Sequence, residues 1–318
     1  MLIPSITDIQ NAHGRIRPYI HWTPVLSSSQ INRMYDAEIF FKCENFQKVG
    51  AFKFRGATNA VLQLSDEEKK RGVITHSSGN HAAALTLAAA TAGVKAYIVM
   101  PENAPLVKKN AVAGYGAEIT FCKPTLEARE QTTREIIEKT GAVLIHAYDN
   151  VNVICGQGTA ALELLGEKPA LDVIIAPIGG GGLMSGTVIA SKGLMPGIKV
   201  YGAEPLNAND AYQSFTSGKI VPSLNPVTIA DGLLTSLSER TFYIIRNNVD
   251  SIFTVSEKSI IEAMQLIWER MKIIVEPSSA TVLAVLMENP GHFSGKRIGL
   301  IISGGNVDLK KLPFNQPF

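Results

Sequence analysis

Four consecutive glycines, Gly179 to Gly182, stand between the apolar run Val173-Ile174-Ile175-Ala176-Pro177-Ile178 and a helix-like stretch opening with Leu183-Met184-Ser185-Gly186. Glycines permit positive φ and let an anion approach the backbone without meeting a Cβ. The helix start behind them offers unpaired N–H groups at the positive end of its dipole. The pattern predicts a phosphate cradle. A nucleoside triphosphate would call for G-x-x-x-x-G-K-[ST], and no lysine follows the run. A dinucleotide would call for G-x-G-x-x-G; from Gly179 or Gly180 the third glycine position falls on Met184 or Ser185, and only a looser spacing through Gly186 survives. The bland alternative is a tight strand-to-helix turn, for which two glycines would suffice. A monophosphate fits the run best.

A monophosphate cofactor that carries an aldehyde must be held by a lysine as a Schiff base, and that amine must be desolvated or otherwise lowered in pKa. Lys53 is the candidate: Phe52 and Phe54 flank it within Gly50-Ala51-Phe52-Lys53-Phe54-Arg55-Gly56. Most lysines are solvated surface groups, which is the ordinary alternative here. Two further polar loops, Ser77-Ser78-Gly79-Asn80-His81 and Ser303-Gly304-Gly305-Asn306, each follow a strand-like run. The first would serve equally as a plain helix N-cap. Together the residues point to pyridoxal phosphate.

Such loops need strands to carry them. Short β-rich runs at 37–41, 72–75, 96–100, 118–121, 142–146, 173–178, 199–203 and 297–302 alternate with helical patterns, as in Ser259 to Met271, where Ile260, Met264, Ile267, Trp268 and Met271 share one face. The alternation predicts an α/β fold of two lobes with doubly wound, mostly parallel sheets: a large domain of residues 1–73 and 148–318, and a small one of 74–147. Ligands in such sheets bind beyond the carboxyl ends of the strands, so all three loops are expected to share one site.

At 318 residues, with 46% apolar and 18% charged residues, the chain can bury a large core. A formal net charge of +2 without a Lys/Arg block gives nucleic acid or anionic membrane no handle, so small molecules are the expected partners. Cys43, Cys122 and Cys155 are isolated and suggest a reducing cytoplasm. No targeting pattern opens the chain, and no apolar stretch reaches membrane-spanning length.

Taken together, the Lys53, Ser77, tetraglycine and Ser303 motifs resemble the fold type II pyridoxal-phosphate enzymes, and within them the serine racemase and serine/threonine dehydratase group. Gly156-Gln157-Gly158-Thr159, Ile229-Ala230-Asp231-Gly232 and Trp268-Glu269-Arg270-Met271-Lys272 extend the resemblance over essentially the whole chain. The resemblance implies that Lys53 carries the cofactor, Phe52 packs on its ring and Asn80 bonds the ring hydroxyl. Gly179, Gly180, Gly181, Gly182 and Leu183 would bind the phosphate, and Ser303 would face the pyridine nitrogen. Ser77, Ser78, Asn80 and His81 would receive the substrate carboxylate, with Ser78 as a second acid/base opposite Lys53.

Serine racemisation with serine or threonine dehydration is the activity so implied; a dedicated dehydratase of serine, threonine or threo-3-hydroxyaspartate is the alternative. Glu204, the Ala208 carbonyl and Asp210 match the family's divalent-metal site, hard oxygens suited to magnesium or calcium. The resemblance also implies a homodimer and ATP as an effector. Arg129 resembles an arginine of the racemases and is a candidate receiver for a second carboxylate, or an ordinary solvated helix charge. A β-replacement enzyme on the same fold would show a different lysine motif, and a non-catalytic phosphate-binding protein would not capture an aldehyde on Lys53.

Overall fold

The computed structural model describes residues 1–77, 79–104 and 106–315. Among these, ten strands form two sheets. The larger follows the order β1-β2-β10-β7-β8-β9, with β1 Val25–Leu26, β2 Glu38–Cys43, β7 Val173–Pro177, β8 Lys199–Pro205, β9 Ser251–Val255 and β10 Arg297–Ile302. The smaller runs β5-β4-β3-β6, with β3 Val73–His76, β4 Ala96–Pro101, β5 Glu118–Cys122 and β6 Val143–Leu144. Every pairing is parallel except that of β1 with β2. Parallel strands covered by helices on both faces read as unbroken apolar runs, and all five residues of β7 are buried.

The eight runs expected as strands all appear. Two more were not expected. Strand β1 is only two residues long, and β9, Ser251-Ile252-Phe253-Thr254-Val255, is an edge strand paired to β8 alone, so it lacks the continuous apolar signal. The run at 142–146 yields only Val143–Leu144, because the His146 ring turns the chain by accepting from the N–H groups of Tyr148 and Asp149 at Nδ1. The expected helix at 259–271 spans Glu257–Met271, started by Ser256 as N-cap and stopped by Lys272 at φ 59°.

Two features aim the site. Strand β10 inserts between β2 and β7, so the chain's direction across the large sheet reverses there, and the loops after β7 and β10 emerge side by side. The helix Lys53–Leu62 lies against Val151–Glu167 at backbone contact: a Cβ on Gly156 would sit 2.5 Å from the Arg55 carbonyl oxygen. The N–H of Gly56 bonds Gln157 Oε1 at 3.1 Å. The Gly156-Gln157-Gly158 motif therefore works by seating the lysine helix.

Beneath that helix lies a fully buried ionic cluster. The Arg55 guanidinium grips Glu44 (Nε to Oε2, 2.6 Å) and Glu163 (Nη1 to Oε1, 2.7 Å), and Lys42 Nζ reaches Glu163 Oε2 at 2.7 Å. Two cations meet two carboxylates, which keeps the burial electrically balanced. Among the described residues no helix is long and apolar enough to cross a membrane, and the three cysteines are buried and free.

Candidate active site

A cavity of about 410 Å³ opens where the carboxyl ends of both sheets face one another. Its wall holds Phe52, Lys53, Asn80, the four glycines, Leu183 and Ser303, with Ser77 and His81 beside them. Ser78 lies outside the described residues. A more open cavity of about 490 Å³ sits at the opposite, amino ends of β7 and β8, away from all these loops.

Lys53 opens the helix Lys53–Leu62 and is half-buried. Its Nζ donates to the Ala147 carbonyl at 3.2 Å and stands 5.0 Å from the centre of the Phe52 ring. Burial disfavours the ammonium and brings the amine down to about 8, against an opposing pull from the Glu276 carboxylate. An amine so lowered is partly neutral near neutral pH, which is what capture of a carbonyl requires. The loop before it is tied to the loop after β10: Phe52 N–H bonds the Ser303 carbonyl and Gly305 N–H the Gly50 carbonyl, both at 2.9 Å.

The tetraglycine loop enters the helix Gly182–Leu194 through Gly181 at φ 85°, and no side chain caps that helix. Its first N–H groups are thus left for an anion. Packing also demands these glycines. A Cβ on Gly180 would lie 2.3 Å from the Tyr148 ring, and one on Gly182 would lie 2.9 Å from Tyr148 Cβ. The plain-turn alternative therefore explains part of the run, through a residue that the motif gave no reason to expect.

Asn80 starts the helix Asn80–Thr91, also without a side-chain cap. Its Nδ2 donates to both oxygens of Glu276, and its Oδ1 accepts from Asn306 Nδ2. His81 is buried, with Nε2 bonded to the Ile145 carbonyl at 3.0 Å. A carbonyl only accepts, so Nε2 carries the proton and Nδ1 is a bare acceptor, buried without a partner among the described residues. Burial first, then the nearby Lys53 charge, pushes this imidazole down to about 3. Likewise His146 is brought down to about 4 by burial and then by His76, and its ring meets Tyr148 edge-on at 4.5 Å. This wall is neutral and aromatic.

Ser303 is buried, with Oγ 2.9 Å from Ser279 Oγ; Ser279 in turn accepts from Gly304 N–H at 2.7 Å. Arg129 also reaches the cavity, and its side chain bonds the Thr125 carbonyl from Nε at 3.4 Å; among the described residues it has no acidic partner. Glu276, Tyr148 and Ser279 escaped the sequence reading. Glu276 looks like an ordinary acidic N-cap before Pro277, and Tyr148 and Ser279 belong to no motif.

Away from the cavity, Glu204 ends β8 and Asp210 begins the helix Asp210–Ser217, with Ala208 between them in a 3-10 turn. Glu204 accepts from the N–H groups of Ala211 (2.9 Å) and Tyr212 (2.8 Å), while both Asp210 oxygens are buried without a hydrogen bond among the described residues. Burial pushes Glu204 up to about 8 and Asp210 up to about 6.

Residues 16–304 match the family model described as "Pyridoxal-phosphate dependent enzyme", and the chain belongs to that family. It is 54% identical over 316 residues to the serine racemase of Dictyostelium discoideum, covering 98% of each chain. It is 50% identical over 312 residues to the L-threo-3-hydroxyaspartate ammonia-lyase of Saccharomyces cerevisiae, covering 98% of this chain and 96% of the relative. The solved structure of maize serine racemase superposes with a TM-score of 0.95 at 46% identity, over 97% of this chain and 95% of the other.

Proposed function

We propose that the chain is a pyridoxal-phosphate dependent serine racemase that also dehydrates serine and threonine to keto acid and ammonia. The observation that carries this is the lowered Lys53 amine, set in one cavity with an uncapped glycine-loop helix and the Ser303 hydroxyl. The residues fit the cofactor: N–H groups of Gly179 to Gly182 and Leu183 for its phosphate, Lys53 for its aldehyde, Phe52 beside its ring, Asn80 for its ring hydroxyl and Ser303 for its ring nitrogen. When bound, the cofactor supplies the electron sink that makes the amino-acid Cα proton acidic.

The remaining work falls to side chains. The Asn80–Thr91 helix start receives the substrate carboxylate through the hydroxyls of Ser77 and Ser78 and the backbone N–H groups of Asn80 and His81. Lys53 Nζ takes the Cα proton from L-serine on one face. Return of a proton from Ser78 Oγ on the other face gives D-serine; loss of the Cα proton and the β-hydroxyl together as water leaves aminoacrylate, whose imine form takes up one water to give pyruvate and ammonia. Two-base inversion needs a group on each side of Cα. Ser303 brings a hydroxyl and no carboxylate to the ring nitrogen, which weakens the sink and favours elimination as the second exit.

A second reading, a dehydratase of threo-3-hydroxyaspartate, is favoured by Arg129, a cavity cation without an acidic partner among the described residues. Its guanidinium suits a second substrate carboxylate. Glu204, the Ala208 carbonyl and Asp210 form the proposed magnesium or calcium site, supported by the buried Asp210 oxygens without hydrogen bonds. The 74–147 small lobe, the large lobe of 1–73 and 148–318, a homodimer, ATP as effector and a cytoplasmic setting complete the reading.

The deciding experiment incubates the protein with L-serine, D-serine, L-threonine and L-threo-3-hydroxyaspartate while following keto acids and D-serine separately. Ser78→Ala is expected to abolish racemisation and retain elimination from L-serine. Equal loss of both activities would sink the two-face assignment.

A further inference from the structure

Glu276 is the N-cap of the helix Pro277–Glu288, a position from which a side chain ordinarily satisfies the first N–H groups of its own helix. It makes no such bond. Instead its carboxylate, in a residue only 4% exposed, faces the cavity. Both oxygens accept from Asn80 Nδ2 at 3.1 Å, and Oε2 also accepts from Asn306 N–H at 3.1 Å. Asn306 Nδ2 donates to Asn80 Oδ1 at 2.9 Å and to the Val49 carbonyl at 2.8 Å.

These bonds close a ring through three separate elements: the start of the helix after β3, the cap of the Pro277 helix, and the loop after β10. Donor and acceptor assignments around the ring are mutually exclusive with their reversal. Turning the Asn80 amide over would aim Oδ1 at a carboxylate and Nδ2 at another amide NH2, so both contacts would become repulsive. The same ring pins the Lys48–Gly50 turn, where Val49, a β-branched residue, is held at φ 57°. Left-handed backbone is costly for such a residue and persists only where its surroundings fix it. That turn ends three residues before Lys53.

We infer that Glu276 is a positioning residue: through the ring with Asn306 it fixes the orientation of the Asn80 amide against the cofactor and clamps the two sheets together at the cavity. The inference rests on the pyridoxal-phosphate reading, and on Asn80 as the partner of the ring hydroxyl. Glu276 touches none of the reacting atoms: its hydrogen bonds work through Asn80, and beside them its charge favours the ammonium form of Lys53.

The test uses holoenzyme carrying Glu276→Gln, Asn80→Ala, or both, and reads the visible absorbance band of the lysine-bound cofactor together with kcat and KM for L-serine. Glu276→Gln is expected to keep the borohydride-trapped adduct on Lys53, shift the band, and lower kcat about tenfold or more with KM held within about threefold. In the Asn80→Ala background the same substitution should add less than about twofold, because the group it positions is gone. Asn306→Ala cuts the ring from its other side and should move the band in the same direction; it serves if Glu276→Gln fails to fold. Losses that multiply in the double variant, or an unchanged band in both single ring variants, would overturn the inference. Wild-type protein without a trapped Lys53 adduct would instead remove the cofactor reading beneath it.

Discussion

Lys53 Nζ and the Ala147 carbonyl are hydrogen-bonded across 3.2 Å, which ties the candidate amine to the segment joining β6 to the helix Val151–Glu167. The amine is held with a carbonyl, a partner that does not compel it to stay charged, while burial lowers it to about 8.

Covalent capture of added pyridoxal phosphate by cofactor-free protein should therefore accelerate about tenfold per pH unit below pH 8 and level off above it, since only the neutral amine attacks. The folded state releases the Lys53 proton at about 8, below the ordinary 10.5, so this group's contribution to stability rises as pH climbs between those values. Stopped-flow absorbance across pH 6.5 to 9.5, as an approximate working range around that value, checks the capture rate; a flat profile contradicts it.

Gly180 is expected to tolerate nothing larger because of Tyr148. Gly180→Ala should weaken cofactor binding about tenfold or more, by forcing the Tyr148 ring out of contact. Adding Tyr148→Ala should recover much of that affinity, measured by equilibrium titration of the apoprotein. No recovery would show that the new methyl group acts on the anion cradle itself.

Arg55 holds two carboxylates inside the fold, so Arg55→Leu should destabilise the protein by about 3–5 kcal/mol in urea titrations, through charges left unpaired. Burial pushes Glu163 upward, yet the hydrogen bonds of His13 and Arg55 and the charges of Arg55 and Lys42 prevail and hold it at about 2, against 4.5 ordinarily. A depressed carboxylate contributes stability that is complete above the ordinary value and lost as pH falls through the folded one. Acid unfolding driven by this cluster belongs between those two values, and Glu163→Gln should flatten that part of the curve.

Magnesium or calcium should raise the melting temperature, and chelation should lower it. With Glu204 near 8 and Asp210 near 6 in the absence of a cation, binding at neutral pH must expel protons, detectable as heat that varies with buffer ionisation enthalpy. Asp210→Asn should abolish both effects; a melting shift that survives it would place the cation elsewhere.

The loops were readable because each is a short contiguous signature: glycines after a buried strand, a lysine between aromatics, a polar turn after Ile302. Glu276 and Tyr148 were not, since their roles arise from contacts with Asn80 and Gly180, residues distant in sequence, and a lone Glu before Pro or a lone Tyr carries no periodic signal. The same limit hid β9, whose edge position lets Ser251 and Thr254 interrupt the apolar run. Ser78 was singled out by its motif alone and rests on the proposed substitution for its test.

Strand β10 lies in the middle of the large sheet, yet it is the final strand of the described chain to be synthesised. A growing polypeptide that has already emitted the lysine helix and the glycine loop still lacks the central slat that aligns them, along with the Ser303 loop that strand carries. Capture of the cofactor should therefore be a late event, and a ribosome-stalled chain ending before residue 297 should remain colourless in the presence of pyridoxal phosphate.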